Sequence, residues 1–237
     1  MTHADKLFDF PPGATPPIVM APALLGGPFI SMQASAEACL EGGADVLHLD
    51  VMDGHFVPDI TFGAKMIAEL RARLHVETVL DVHLLCAGVD EKIDAFLEAG
   101  ADVLSFPLET SNNPYRSLEK IRDRGCRAGV AILPATPLSA LEELLPLIDL
   151  VVVMTVHPGE SRLLDTMPGK VARLRAMIDS SSHRVRICAD GGVKRNTIGG
   201  LAAHGADWIV AASAVFSGGE IAGNIAGLRQ DADAGRQ

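Results

Sequence analysis

Eight short apolar runs follow one another down the chain, and each gap between them carries a stretch of helical period. The runs are "IVMAPALL" (18–25), "VLHLDVM" (46–52), "TVLDVHLL" (78–85), "VLSFPLE" (103–109), "AGVAILP" (128–134), "LVVVMTVH" (150–157), "RVRICAD" (184–190) and "WIVAASAVF" (208–216). Short runs that stay apolar throughout suit strands buried on both faces of a parallel sheet. The intervening stretches, such as "AKMIAELRARL" and "GKVARLRAMID", suit the helices that cover such a sheet. Three junctions share one pattern: "GGAD" (42–45), "AGAD" (99–102) and "HGAD" (204–207). In each, a glycine ends a helix in the left-handed conformation and a strand begins. Eight βα units in series predict an α/β fold, the closed (β/α)₈ TIM barrel, with an open doubly wound sheet as the alternative. Nothing divides the chain further. A single barrel domain is expected over 18–230, after a flexible, proline-ended lead-in over 1–17, "MTHADKLFDFPPGATPP".

The 237 residues suit one such barrel, and 48% hydrophobic residues can fill its core. A net charge of -10 argues against nucleic acid and anionic membranes as partners, since both call for a basic face. It does not exclude a small anion held by backbone N–H groups. No apolar run approaches the ~18 residues of a membrane helix. The lead-in lacks the basic start and apolar core of a signal peptide. Cys39, Cys86, Cys126 and Cys188 are far apart and form no C-x-x-C pair, so buried, reduced thiols in a cytoplasmic protein are expected.

Barrel enzymes carry their chemistry at the C-terminal ends of the strands. The second run closes on His48, Asp50 and Met52, and the third on Asp81, His83 and Leu85. The fourth closes on Glu109, the sixth on Met154 and His157, the seventh on Asp190 before Gly191 and Gly192, and the eighth on Ser213. Strand residues two apart share a face. If His48 points inward, so does Asp50, and His48, Asp50, His83 and Asp190 gather at one mouth. A lone histidine in an apolar strand is ordinarily a core residue, and Met52 and Met154 would ordinarily be core fillers. Two histidines at strand ends, each with an aspartate two residues away, are a different matter. Buried carboxylates without cationic neighbours are costly, and one divalent ion would remove that cost. Two imidazoles and two carboxylates suit Zn²⁺, Fe²⁺, Mn²⁺ or Co²⁺. "DGGVKRNT" has the glycines that a phosphate turn after the seventh strand requires.

These residues resemble the ribulose-phosphate 3-epimerases. The matching segments are "VMAPALL", "GGADVLHLDVMDGHFVPD", "LDVHLL", "RAGVAILPATPL", "LVVVMTVHPG", "ADGGVKRNT" and "IVAASAVF", in that family's order, over residues 18–216. The resemblance implies a ribulose-phosphate-binding barrel that interconverts D-ribulose 5-phosphate and D-xylulose 5-phosphate. It implies one divalent ion, Zn²⁺ or Fe²⁺ before Mn²⁺ or Co²⁺, held by His48, Asp50, His83 and Asp190. It implies that Asp50 and Asp190 are the acid/base pair, and that Met52 and Met154 line the site. The chemistry agrees. Inverting a carbon beside a ketone needs charge stabilisation on the ketone oxygen and two proton carriers on opposite faces of a flat enediolate. A soluble homo-oligomer, dimer or hexamer, is expected.

Three departures from the family touch the substrate rather than the chemistry. Ala23 stands in place of a serine, "HPGESR" is shorter than the glycine-rich loop after the sixth strand, and Ala212-Ser213 replaces Gly-Ser. Leu85 also replaces a methionine. The expected sugar-phosphate contacts are Met52, His83, Met154, Gly159, Arg162, Gly191, Gly192, Ala212 and Ser213, with Arg162 supplying charge that missing glycine amides no longer give. A different ketose phosphate, a tetrulose or hexulose phosphate, is the alternative substrate. A phosphate-barrel decarboxylase or synthase would, by resemblance, carry Asp-x-Lys in the third run, where this chain has Asp81-Val82-His83. A non-catalytic sugar-phosphate sensor would have no use for the paired acids.

Overall fold

The computed structural model describes residues 3–11, 14–157 and 159–237. All eight apolar runs are strands: β1 Val19–Pro22, β2 Leu47–Met52, β3 Leu80–Leu85, β4 Val103–Pro107, β5 Arg127–Ile132, β6 Leu150–Met154, β7 Arg186–Asp190 and β8 Trp208–Ala211. They form one parallel sheet in the order β1-β8-β7-β6-β5-β4-β3-β2. The seam between β1 and β2 is drawn together by a parallel bridge from Ala23 to His48 and by the Asp45 N–H donating to the Met20 carbonyl (3.0 Å). The result is a nearly closed (β/α)₈ barrel.

Helix α1 (His3–Leu7) precedes β1. Between the strands run α2 (Met32–Glu41), α3 (Ala64–Arg73), α4 (Ile93–Glu98), α5 (Pro114–Asp123), α6 (Met167–Asp179) and α7 (Arg195–Ala203). After β8 come the short α8 (Ser213–Phe216) and the long α9 (Ile221–Gly235). The gap between β5 and β6 holds a 3₁₀ helix, Leu138–Leu144, in place of an α-helix. Pro137 opens it and Pro146 follows it, so there is little room for a hydrogen-bonded α-helical ladder. No helix among the described residues is long and apolar enough to cross a membrane.

Alternation along the strands sorts the core into two shells. Leu49, Val51, Val82, Leu84, Val130 and Val153 point outward against the helices. Val19, Ala21, Val152, Cys188, Trp208 and Val210 point to the axis. All four cysteines are buried as free thiols, and burial pushes the Cys39 thiol up to about 12.

The "GAD" junctions serve the N-terminal end of the barrel. Gly43, Gly100 and Gly205 have φ of 90°, 91° and 104°, the left-handed helix stop their spacing predicts. The aspartate after each has a second task. Asp45 accepts from the Met20 N–H (2.7 Å) and pairs with Arg229 (2.7 Å), and Asp102 accepts from the Leu80 N–H (2.9 Å) and pairs with Arg71. Asp149 repeats the arrangement with the Ala128 N–H (2.9 Å) and Arg127 (3.0 Å). Each carboxylate thus satisfies the first free amide of a neighbouring strand and ties it to a basic residue. Asp207 pairs with the fully buried Arg186 (2.9 Å).

Residues 3–10 of the lead-in are packed rather than loose; Met1, Thr2, Pro12 and Gly13 lie outside the described residues. Ala4, Phe8 and Phe10 are buried. The Phe8 ring lies 5.6 Å from that of Trp208, and Arg186 donates to the carbonyls of Leu7 (2.7 Å) and Pro17 (3.1 Å). A barrel end that exposes an indole and an arginine needs a cover, and the two phenylalanines provide it. Phe8→Ala should therefore cost about 3 kcal/mol of stability, read as a lower denaturant midpoint; an unchanged midpoint would mean that the segment is detached in solution.

Candidate active site

The opposite, C-terminal end of the barrel opens into a cavity of about 300 Å³. Its floor is polar and its walls are mostly apolar. The floor is the cluster that the strand alternation predicts. His48 and Asp50 from β2, His83 from β3 and Asp190 from β7 each offer a ligand atom, and these atoms lie within 4.8 Å of one another. The register explains the convergence. Asp50 is the strand partner of His83, and Met154 that of Asp190, while His48, paired with Asp81, stands one inward-facing position before Asp50.

Within the cluster, His48 Nε2 lies 3.1 Å from Asp50 Oδ1. His83 Nδ1 is 3.6 Å from Asp50 Oδ1 and 3.4 Å from Asp190 Oδ2, too far for good hydrogen bonds. His48 and His83 are fully buried and Asp50 nearly so. Asp50 Oδ2 and both His83 ring nitrogens have no protein partner. Buried nitrogens and oxygens without partners cost free energy, and here they point at one another's neighbourhood. That fits a divalent cation better than a closed hydrogen-bond network, and the donor set is one that such ions accept.

Charge within the cluster follows from the same proximity. Burial alone would lower the His48 pKa, but the Asp50 and Asp81 carboxylates outweigh it and raise it well above its ordinary value. His83 is raised in the same way, against burial, by Asp190 and Asp50. Burial opposes ionisation of Asp50, yet His48 and His83 hold its pKa below the usual carboxylate range. Asp50 is thus an ionised carboxylate at neutral pH. Below this level lies a residue with no role in the expected ligand set: Asp81 accepts from His48 Nδ1 (2.8 Å) and from Trp208 Nε1 (3.0 Å).

Met52, Leu85, Met154, Val57, Val156 and Val210 wall the cavity, so the predicted methionines and Leu85 do line it. Gly159, Gly191, Gly192, Ala212 and Ser213 line it too, as does Ala23. Of the floor cluster, Asp50 and Asp190 face the cavity, whereas His48 and His83 are fully buried behind them. Arg162 is exposed on its loop and does not reach the cavity; among the described residues that line it, Lys194 is the cation. Asp59, Glu160 and Ser161 complete the rim. Glu109 is engaged elsewhere, accepting from Thr136 Oγ1. Pro158, within "HPGESR", lies outside the described residues.

The paired glycines have a packing role beside any phosphate role. A Cβ on Gly191 would stand 2.5 Å from the Val156 side chain, and one on Gly192 would stand 2.5 Å from the Leu163 nitrogen, with φ of 108° and 65° respectively. The loop after β6 can cross this turn only because both residues are glycine. Ala212 raises no such conflict, since its φ is -99°. The close approach falls instead to Gly26, whose Cβ would stand 2.8 Å from the Ala212 carbonyl carbon.

The family model described as Ribulose-phosphate 3 epimerase family matches residues 19–216. Among curated proteins, the ribulose-phosphate 3-epimerase of Rhodobacter capsulatus is 44% identical over 225 residues, covering 92% of this chain and 96% of its own. That of Escherichia coli K12 is 39% identical over 201 residues, covering 84% and 88%. Among solved structures, 3-keto-L-gulonate-6-phosphate decarboxylase from Vibrio cholerae has a TM-score of 0.68 over 92% of this chain and 98% of its own. At 15% identity it shares the fold alone. The match across nearly every strand, joined to the curated relatives, places the chain in the ribulose-phosphate 3-epimerase family, and so among the isomerases that act on carbohydrates.

Proposed function

We propose that the chain epimerises D-ribulose 5-phosphate to D-xylulose 5-phosphate with two aspartates, one removing a proton from the carbon beside the ketone and the other delivering a proton to its opposite face. The observation that carries this reading is the placement of Asp50 and Asp190, from β2 and β7, at the floor of one cavity with apolar walls. Asp50, held ionised by its imidazole neighbours, takes the proton from the carbon beside the ketone. Asp190, from the other side of the mouth, delivers a proton to the opposite face, and the roles reverse in the reverse reaction. Met52, Met154 and Val156 keep water from the flat enediolate without adding charge.

His48, Asp50, His83 and Asp190 would hold the divalent ion. When bound, it would supply the positive charge that stabilises the ketone oxygen as the proton leaves. At the other end of the substrate, Gly191, Gly192, Ala212 and Ser213 offer backbone N–H groups to the phosphate, with Lys194 as its ionic partner. Helix α8, directly after β8, sits where this class of barrel binds phosphate.

Four outcomes test the reading. Asp190→Asn should lower exchange of the substrate α-proton with D₂O by roughly 10²–10⁴-fold with the fold intact; full exchange would sink the acid/base pair. Across a panel of ketose phosphates, ribulose 5-phosphate should exchange fastest, and a tetrulose or hexulose phosphate in that place would reassign the substrate. Lys194→Ala should raise KM about tenfold with a smaller change in kcat, since a charge-assisted contact to phosphate is made in substrate and transition state alike. Both imidazoles keep their protons to higher pH than free histidine in the metal-free protein. Their contribution to its stability is full below the ordinary histidine pKa and fades as pH rises through the raised values. A bound cation must displace those protons, so Zn²⁺ affinity should rise, and the Tm gain on adding Zn²⁺ should grow, from about pH 6 to about pH 8. A Tm gain independent of pH would contradict histidine ligation.

A further inference from the structure

Asp81 is the strand partner of His48 and stands one inward-facing position before His83 on β3. It is fully buried, and belongs to neither the cavity wall nor the four-residue cluster. One of its oxygens, Oδ2, serves two donors, His48 Nδ1 at 2.8 Å and Trp208 Nε1 at 3.0 Å. The donors arrive from different sides: His48 from β2, next to β3, and Trp208 from β8, across the barrel.

The hydrogen-bond inventory leaves one consistent assignment. An indole N–H can only donate, and the carboxylate oxygen that meets it accepts. Asp81 Oδ2 therefore accepts from both, and His48 carries a hydrogen on Nδ1. That leaves Nε2, which faces Asp50 Oδ1 at 3.1 Å, as the nitrogen turned toward the cluster. The indole is itself fixed, through strand pairing with Val19 and Cys188 and against the Phe8 ring at 5.6 Å. The three side chains form a chain of contacts that starts at the covered end of the barrel and stops at the cation site.

The choice of a carboxylate is informative. An asparagine carbonyl could accept from both donors and would cost far less to bury. Holding Trp208 and His48 in place therefore does not by itself explain a carboxyl group at this position. A carboxylate that takes the N–H of an imidazole makes its other nitrogen a stronger donor to a cation.

We infer that Asp81, braced by the Trp208 N–H, is a positioning residue that fixes the tautomer and orientation of His48 and strengthens His48 Nε2 as a ligand for the divalent cation. This rests on the metal-centre reading above. It adds that the affinity of the centre is set in part by a residue that touches neither cation nor substrate.

Cobalt titration of the metal-free, full-length protein tests it, with affinity taken from competition with a chelator and geometry from the visible Co²⁺ spectrum. Asp81→Asn should bind Co²⁺ about 10–100-fold more weakly, with a shifted spectrum. Trp208→Phe, which keeps the ring and removes the N–H, should give a smaller loss in the same direction. His83→Ala serves as the ligand control. Circular dichroism and thermal unfolding of the metal-free variants show which are folded. A folded Asp81→Asn with wild-type affinity and spectrum overturns the inference. So does a variant with lowered metal-free stability and unchanged Co²⁺ binding, since that marks a purely structural contact. If Asp81→Asn does not fold, Trp208→Phe decides, and wild-type Co²⁺ binding there overturns it. A wild-type protein that binds no Co²⁺, or binds it regardless of His83→Ala, refutes the metal centre itself.

Discussion

A polar group inside a closed barrel has no water to fall back on. The axis here holds His48, Asp50, Asp81 and His83, all but sealed from solvent. Each must find a partner within the barrel or leave a cost behind. Asp81 finds two donors. His83 finds none at good hydrogen-bond distance, and Asp50 keeps one oxygen unmatched. Asp81 Oδ1 is unmatched as well, so orphan atoms lie at both levels of the axis, and those of Asp50 and His83 gather at the cavity end. Covering the far end with Phe8 and Phe10 serves the same constraint, since it closes the axis where nothing is meant to enter.

The barrel itself was legible because parallel strands buried on both faces must be apolar throughout, and eight such runs recur with few interruptions. The His48, Asp50, His83 and Asp190 cluster was legible because strand side chains alternate, so that His48 with Asp50, and His83 two residues beyond Asp81, could be assigned to one face without any three-dimensional information. What was not legible depends on contacts far apart in sequence. Asp81 and Trp208 are separated by 127 residues, and no local pattern announces their hydrogen bond. The same holds for the packed lead-in, whose prolines and charges mimic a loose tail. Its two phenylalanines were the available signal. The "GAD" repeat was visible as a helix stop, whereas the pairing of its aspartates with arginines such as Arg229 and Arg71 needed the fold. Arg162 and Lys194 show the limit for loops: both are basic residues near glycines, and only backbone geometry tells which one reaches the cavity.

The proposed substrate contacts and the proposed chemistry occupy different parts of the molecule. The residues proposed to move protons and hold the ion stand on strands, whose positions are fixed by ladders of hydrogen bonds on both sides. Three of the departures from the family fall on the turns after β1, β6 and β8, and the fourth, Leu85, ends β3. Ala212 is compatible with its backbone conformation, and Gly26 keeps the close approach that the turn requires. The loop after β6 packs Val156 and Leu163 against the Gly191–Gly192 turn, and Thr155 Oγ1 donates to the Asp190 (2.9 Å) and Gly191 carbonyls. Loops can therefore change while the floor of the cavity does not, which is how one barrel chemistry can serve substrates of different length.

Trp208 is the single tryptophan of the chain, and it sits at the middle of the Phe8–Trp208–Asp81–His48 series. Its N–H points at the carboxylate that braces His48. The protein therefore carries its own optical gauge. Any event that alters the charge shared between Asp81 and His48, or that lifts the phenylalanine cover from beneath the indole, changes the electric field and packing around one fluorophore. Detachment of the N-terminal segment, and binding of a cation at the proposed centre, would both be followed by emission from the unlabelled chain, with no other indole to obscure the signal.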